Sequence, residues 1–190
     1  AASATTPLSP AASGSAGDAV AATPRAPAQC QWLTFLRVHD ELTLEMVSDA
    51  HRVELLDAYC RHDAWRFREG LGISARLADL LHNDARRILL AYSIMLTLIG
   101  SPVVFYGDEV AKRNDTAYYE EQRARTGLDD TRYLVRGRID WQRVDAALAD
   151  ADSVPHRVYY GLRRMIAARR SRLPLFAEGD LRFVRMRGVA

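Results

Sequence analysis

Trp32-Leu33-Thr34-Phe35-Leu36-Arg37-Val38, followed at once by His39-Asp40-Glu41, is the stretch that decides the fold. It is short, β-branched and aromatic, which suits a strand buried on both faces, and it ends in a polar burst. A second stretch repeats the design. Val103-Val104-Phe105-Tyr106 is wholly apolar and stops at Gly107-Asp108-Glu109. Strands without polar alternation belong to parallel sheets covered by helices. In (β/α) barrels, the edge where strand gives way to loop carries the chemistry. The carboxylates at both edges are therefore the first candidates for function.

Working outward, the segment between the strands reads as helical. From 49 to 62 the apolar residues Val53, Leu56 and Tyr59 recur near helical spacing, and Ser48 or Asp49 can cap the first turn. Residues 63–81 are charged and punctuated by glycine, as in a long loop with helical turns. Asn83 or Asp84 caps a second helix reaching about Ile99, stopped by Gly100-Ser101-Pro102. Residues 112–150 show no clear period. After Pro155, the residues Val158, Leu162, Met165 and Ile166 form an apolar stripe. Arg163, Arg164, Arg169, Arg170 and Arg172 lie largely on the opposite face and read as solvated charge rather than as a nucleic-acid patch. Leu181 to Met186 alternates like an exposed strand.

Composition narrows the function classes. The 190 residues are 48% hydrophobic and 26% charged, close to a globular average. A net charge of +2 creates no field that would select nucleic acid or a membrane surface. The longest apolar run, 89–104, is interrupted by Tyr92, Ser93, Thr97, Gly100, Ser101 and Pro102, so it reads as helix, turn and strand rather than as a membrane span. Two cysteines, Cys30 and Cys60, form no disulfide framework or metal-ligand spacing and favour a reducing, cytoplasmic setting. Residues 1–30, rich in Ala, Ser, Thr and Pro, read as a flexible linker or loop with no signal peptide. The chain opens on Ala rather than Met and reads as a piece of something longer.

Two segments carry a resemblance to a known family. Phe35-Leu36-Arg37-Val38-His39-Asp40-Glu41-Leu42-Thr43-Leu44-Glu45-Met46-Val47 and Gly100-Ser101-Pro102-Val103-Val104-Phe105-Tyr106-Gly107-Asp108-Glu109-Val110 resemble the seventh and eighth strand motifs of the α-amylase family of glycoside hydrolases and transglycosidases. The first motif, with Gly72-Ile73-Ser74-Ala75-Arg76-Leu77-Ala78-Asp79-Leu80-Leu81, is most similar to trehalose synthases. Arg87 to Ile94, Asp129-Asp130-Thr131-Arg132 and Tyr160 to Ala167 are similar to amylosucrases. Val38 stands where most members carry Asn.

The resemblance implies an α/β fold, the C-terminal portion of a (β/α)8 TIM barrel. Residues 31–172 would supply its last two strand–helix units, strands seven and eight, and 173–190 the start of a C-terminal β-domain. A whole barrel takes roughly 250 residues. It further implies a retaining enzyme of carbohydrate metabolism acting on maltose, trehalose or sucrose, first of all a trehalose synthase. An amylosucrase-like enzyme, an α-glucosidase and a truncated non-catalytic fragment are the alternatives. The nucleophile and the acid/base would lie upstream, about 5–5.5 Å apart across the scissile bond.

Within this chain, Asp40 matches the carboxylate that stabilises the transition state, and His39 the adjacent hydroxyl-binding histidine. Arg132 matches an arginine at the base of the sugar pocket. Glu41 is placed either in that pocket or on a solvated loop. Asp108 and Glu109 are divided between substrate contact and structural ion pairing. No cofactor or metal is expected in this chain, calcium being left open for the full-length enzyme. No nucleic-acid or membrane partner is expected.

Overall fold

The structure is a computed structural model describing residues 20–27 and 29–181. Its architecture is α/β. Two strands, β1 (Leu33–Phe35) and β5 (Ser101–Val103), pair in parallel, with Leu33 opposite Ser101 and Phe35 opposite Val103. Between them lie β2 (Leu42–Thr43), helix α1 (Asp49–Tyr59), β3 (Arg66–Phe67), β4 (Gly72–Ile73), α2 (Leu77–Leu80) and α3 (Ala85–Thr97). The short strands form an antiparallel sheet in the order β2-β4-β3. After β5 come α4 (Thr116–Thr126), a 3-10 turn at Thr131–Val135, α5 (Trp141–Ala149), α6 (Val154–Arg170) and α7 (Leu173–Glu178).

The parallel pairing of the two apolar stretches is as the sequence requires, but both strands are short and the second starts earlier than expected. Pro102 and Val103 are in the strand, and Phe105 and Tyr106 lie beyond it. The expected burial of β1 does not hold within the described residues. Leu33 is 65% and Phe35 53% exposed, because β5 is the only described strand that pairs with β1.

The helix caps follow the chain chemistry. Ser48 accepts a hydrogen bond from the His51 amide at the start of α1, and Asp84 from the Arg86 amide at the start of α3. Ser153 does the same for α6, where Pro155 sits in the first turn. The helices α3 and α6 pack closely around Ile88, Tyr92, Met95, Val158 and Leu162. Gly161 permits that approach, since a Cβ there would lie 2.6 Å from Leu89. A second core gathers Leu44, Trp65, Ile73, Leu80, Tyr119 and Leu134 beneath the antiparallel sheet.

Two expectations change. Residues 112–150 hold two helices, α4 and α5, each capped by an aspartate, Asp115 and Asp140. Periodicity hides α4 because it buries only Tyr119 and Gln122. Arg169 is not on a solvated face. It is 7% exposed and donates to the carbonyls of Leu96 (2.6 Å), Leu98 (2.8 Å) and Gly100, closing the C-terminal end of α3. Leu173–Glu178 forms a short helix. Most of the alternating stretch 181–186, and all but the end of the 1–30 linker, lie outside the described residues.

Candidate functional site

Asp40 sits beyond the carboxyl end of β1, on a turn held by two arginines from opposite directions. From the buried side, Arg37 donates to the Asp40 backbone carbonyl (2.7 Å) and to that of Ala75 (3.0 Å). Arg37 is 4% exposed, and burial lowers its pKa to about 10, with Asp108 and Glu41 opposing that shift. From the solvent side, Arg136 donates through Nε to the His39 carbonyl (2.9 Å) and through Nη2 to Asp40 Oδ1 (2.9 Å). His39 Nε2 lies 3.0 Å from Asp40 Oδ2, and Arg132 Nη1 lies 3.6 Å from Oδ1. Both carboxylate oxygens thus have partners, yet the side chain stays 41% exposed. Such a group can exchange a protein donor for a hydroxyl of a bound molecule.

Arg132 is oriented elsewhere. Its guanidinium forms two parallel hydrogen bonds to Asp130, Nε to Oδ1 and Nη2 to Oδ2, both 2.8 Å. It also lies over the Phe67 ring, 5.0 Å from its centroid. Burial pushes the Asp130 carboxyl upward, but the hydrogen bonds from Arg132 outweigh it and hold the group low. The 3-10 turn that carries Arg132 and ends at Arg136 is tied to the second core by a 2.8 Å contact between the hydroxyls of Thr131 and Ser74.

The structure therefore gathers His39, Asp40 and Arg132, three of the expected residues, and adds Arg136 and Asp130. The sequence signal for Arg136 was faint, since one arginine among many reveals nothing without its partner. Glu41 is half-buried beside Gly72, where a Cβ would meet its Cγ at 2.6 Å, and its Oε2 is out of solvent without a hydrogen-bond partner.

Asp108 takes part in a buried ion pair. It is 2% exposed, lies 3.3 Å from Arg76 Nη1 and accepts a hydrogen bond from the Tyr92 hydroxyl (3.2 Å). Burial pushes its pKa up to about 6, against the opposing charge of Arg76. Arg76 itself is sandwiched near Phe105 and Tyr106, at 4.5 and 4.7 Å from their ring centroids. Gly107, at φ +86°, makes the tight turn off β5 that sends Asp108 inward. Glu109 is half-buried and lines a cleft of about 360 Å³ with Tyr159, Leu162, Arg163, Ile166 and Arg170, away from the Asp40 cluster. A second cleft, of about 580 Å³, lies along α4 beside Tyr118, Arg125 and Arg138 and does not border Asp40 either.

Among the described residues, no group of three or more His, Cys, Asp and Glu side chains converges as a metal site. No described helix is long and apolar enough to cross a membrane.

Comparison with known proteins gives this geometry its context. No family model matches the chain. It is 42% identical over 109 residues to a trehalose synthase of Pimelobacter, covering 57% of this chain and 19% of that protein. It is 47% identical over 91 residues to a trehalose synthase/amylase of Mycobacterium tuberculosis, covering 48% and 15%. This chain is a partial-length relative of the trehalose synthases. It is similar to them over about half of its own length and spans less than a fifth of either of these two relatives.

A more distant relative is the glucosylglycerate phosphorylase of Escherichia coli, 26% identical over 159 residues and covering 74% of this chain and 27% of that protein. In three dimensions the chain is similar to a sucrose 6F-phosphate phosphorylase from Thermoanaerobacter thermosaccharolyticum. The TM-score is 0.53 at 19% identity, covering 70% of this chain and 29% of that one, a likeness of fold.

Proposed function

We propose that this trehalose-synthase-like segment works within an α-glucosyl-transferring enzyme that converts maltose to trehalose by a retaining mechanism. The observation that carries the reading is the placement of Asp40. It stands at the carboxyl edge of a parallel strand, half-exposed, with His39 beside it and a guanidinium on its other oxygen. The 42% identity to a trehalose synthase supports the choice of reaction over an amylosucrase-like one.

In this reading β1 and β5 are neighbouring strands of a (β/α)8 barrel, and other strands of that barrel supply the nucleophile and the acid/base. Asp40 grips sugar hydroxyls and favours the distorted ring of the oxocarbenium-like transition state, since hydrogen bonds that strengthen in that state speed the reaction. His39 adds a hydroxyl contact on the same ring. Arg132, steadied by Asp130 and by the Phe67 face, borders the base of the sugar pocket. Isomerisation also needs the released glucose to be held and water kept out while it turns over.

The substrates are α-linked glucose disaccharides, with no cofactor held by this chain and no nucleic-acid or membrane partner. The proposed location is cytoplasmic, a setting in which the two free thiols, Cys30 and Cys60, stay reduced. Incubation of the complete polypeptide carrying this segment with maltose, and separately with sucrose, tests the reaction. Trehalose from maltose supports it. Turnover of sucrose alone would replace it with an amylosucrase-like reading.

A further inference from the structure

The geometry points to Arg136 as the positioning residue of Asp40, an assignment that rests on the reading of Asp40 as the sugar-gripping carboxylate. Arg136 and Asp40 are 96 residues apart in the chain, so their pairing is a product of the fold. One guanidinium makes two contacts at once. Nε holds the backbone carbonyl of His39, and Nη2 holds Oδ1 of Asp40, each at 2.9 Å. The planar fork of arginine is suited to fixing a carboxylate relative to its own backbone, and a lysine ammonium cannot reproduce both contacts in one plane.

Two features separate Arg136 from its neighbour. Arg132 commits two nitrogens to Asp130 and approaches Asp40 only to 3.6 Å. Arg136 makes no ion pair with Asp130, and Asp40 is its carboxylate partner. Meanwhile Arg37 holds the next carbonyl of the same turn, that of Asp40, from the buried side. Successive carbonyls of one turn are therefore taken by guanidinium groups from opposite sides. The turn is fixed twice through its backbone, and the carboxylate is fixed once more by Arg136.

That arrangement selects one orientation of the Asp40 carboxylate before any sugar arrives. A misplacement of about 1 Å in a reacting constellation costs on the order of 100-fold in rate. Removing the Arg136 fork loosens the carboxylate without removing it, so the loss falls on kcat more than on KM.

The test is steady-state kinetics with maltose on the complete polypeptide, comparing R136Q, R136K and D40N with wild type. The expected result is a kcat about 100-fold lower for R136Q, a KM within about 3-fold of wild type, and partial recovery in R136K, whose ammonium still reaches the carboxylate. R136Q with wild-type kcat, while D40N is inactive, overturns the role of Arg136 and leaves that of Asp40 standing. An active D40N removes the underlying reading instead. A second readout needs no turnover and uses the same complete polypeptide. The Arg136 Nε–H should exchange with water far more slowly than that of the exposed Arg143, and should quicken in D40N. Equal exchange at the two arginines contradicts the assignment whatever the kinetics show.

Discussion

Arg76 and Asp108 face each other across 3.3 Å, and each side chain is only 1% exposed. One further cation, Arg37, acts on the carboxylate through space. Tyr92 keeps its proton, because burial and then Asp108 push its pKa up, so it serves as a donor to the carboxylate. Arg76 leaves Nε and Nη2 without hydrogen-bond partners. The pair is costly to bury and closes the space behind the β5 turn.

This pair gives stability a pH dependence of known sign. Burial raises the Asp108 pKa from 3.8 to about 6 in the folded chain, so the folded state binds that proton more tightly than the unfolded one. The contribution is fully present below about pH 4 and is lost as pH rises through 6, a change on the order of 3 kcal/mol. Urea midpoints of wild type and D108N across that window isolate it. Wild type should lose stability relative to D108N as pH rises. A gap moving the other way would mean that the attraction of Arg76 outweighs the burial.

Arg169 is the second buried arginine with structural work. It satisfies three carbonyls at the end of α3 and lies 4.4 Å from the Phe176 ring centroid. R169M keeps most of the stem and leaves those acceptors without their donor, costing about 2–3 kcal/mol. Thermal unfolding should show a clearly lower midpoint. An unchanged midpoint would show that water replaces the guanidinium at no cost.

Asp130 orients Arg132, so D130N should weaken sugar binding while leaving chemistry nearly intact. Losing one charged hydrogen bond to the guanidinium corresponds to a rise of about 10-fold in KM for maltose. Steady-state kinetics read the split directly, and a fall in kcat with constant KM would place Arg132 nearer the reacting bond than this account does.

The thiols should differ in reactivity. Cys30 is exposed, whereas Cys60 is half-buried and burial raises its pKa. A chromogenic disulfide reagent near neutral pH should titrate two thiols, Cys30 first. Fewer than two reactive thiols in the unfolded chain would show that one is already oxidised.

The parallel strands and the Asp40 edge were legible because a short, largely apolar and aromatic run ending in His39-Asp40-Glu41 leaves few alternatives. The caps at Ser48 and Asp84 were nearly as plain, being local chemistry between a side chain and an amide two or three residues on. What depends on distant pairing was not legible. Arg136 looks like surface charge until the fold brings it to Asp40, and Arg169 looks like part of a solvated face until α3 ends beneath it. Asp108 offered two readings, and its ion pair with Arg76 depends on the Gly107 turn and on residues far off in the chain. Helix α4 escaped notice because it draws its order from an aspartate cap, a Gly127 stop and two buried residues rather than from an apolar stripe.

The most direct test of the central claim is maltose turnover by the complete polypeptide with Asp40→Asn, alongside its thermal unfolding. The account predicts that trehalose formation is abolished while the unfolding midpoint stays close to wild type, because Asp40 is half-exposed and its amide replacement fits the same space. Wild-type trehalose production by the variant would contradict it and remove Asp40 from the mechanism.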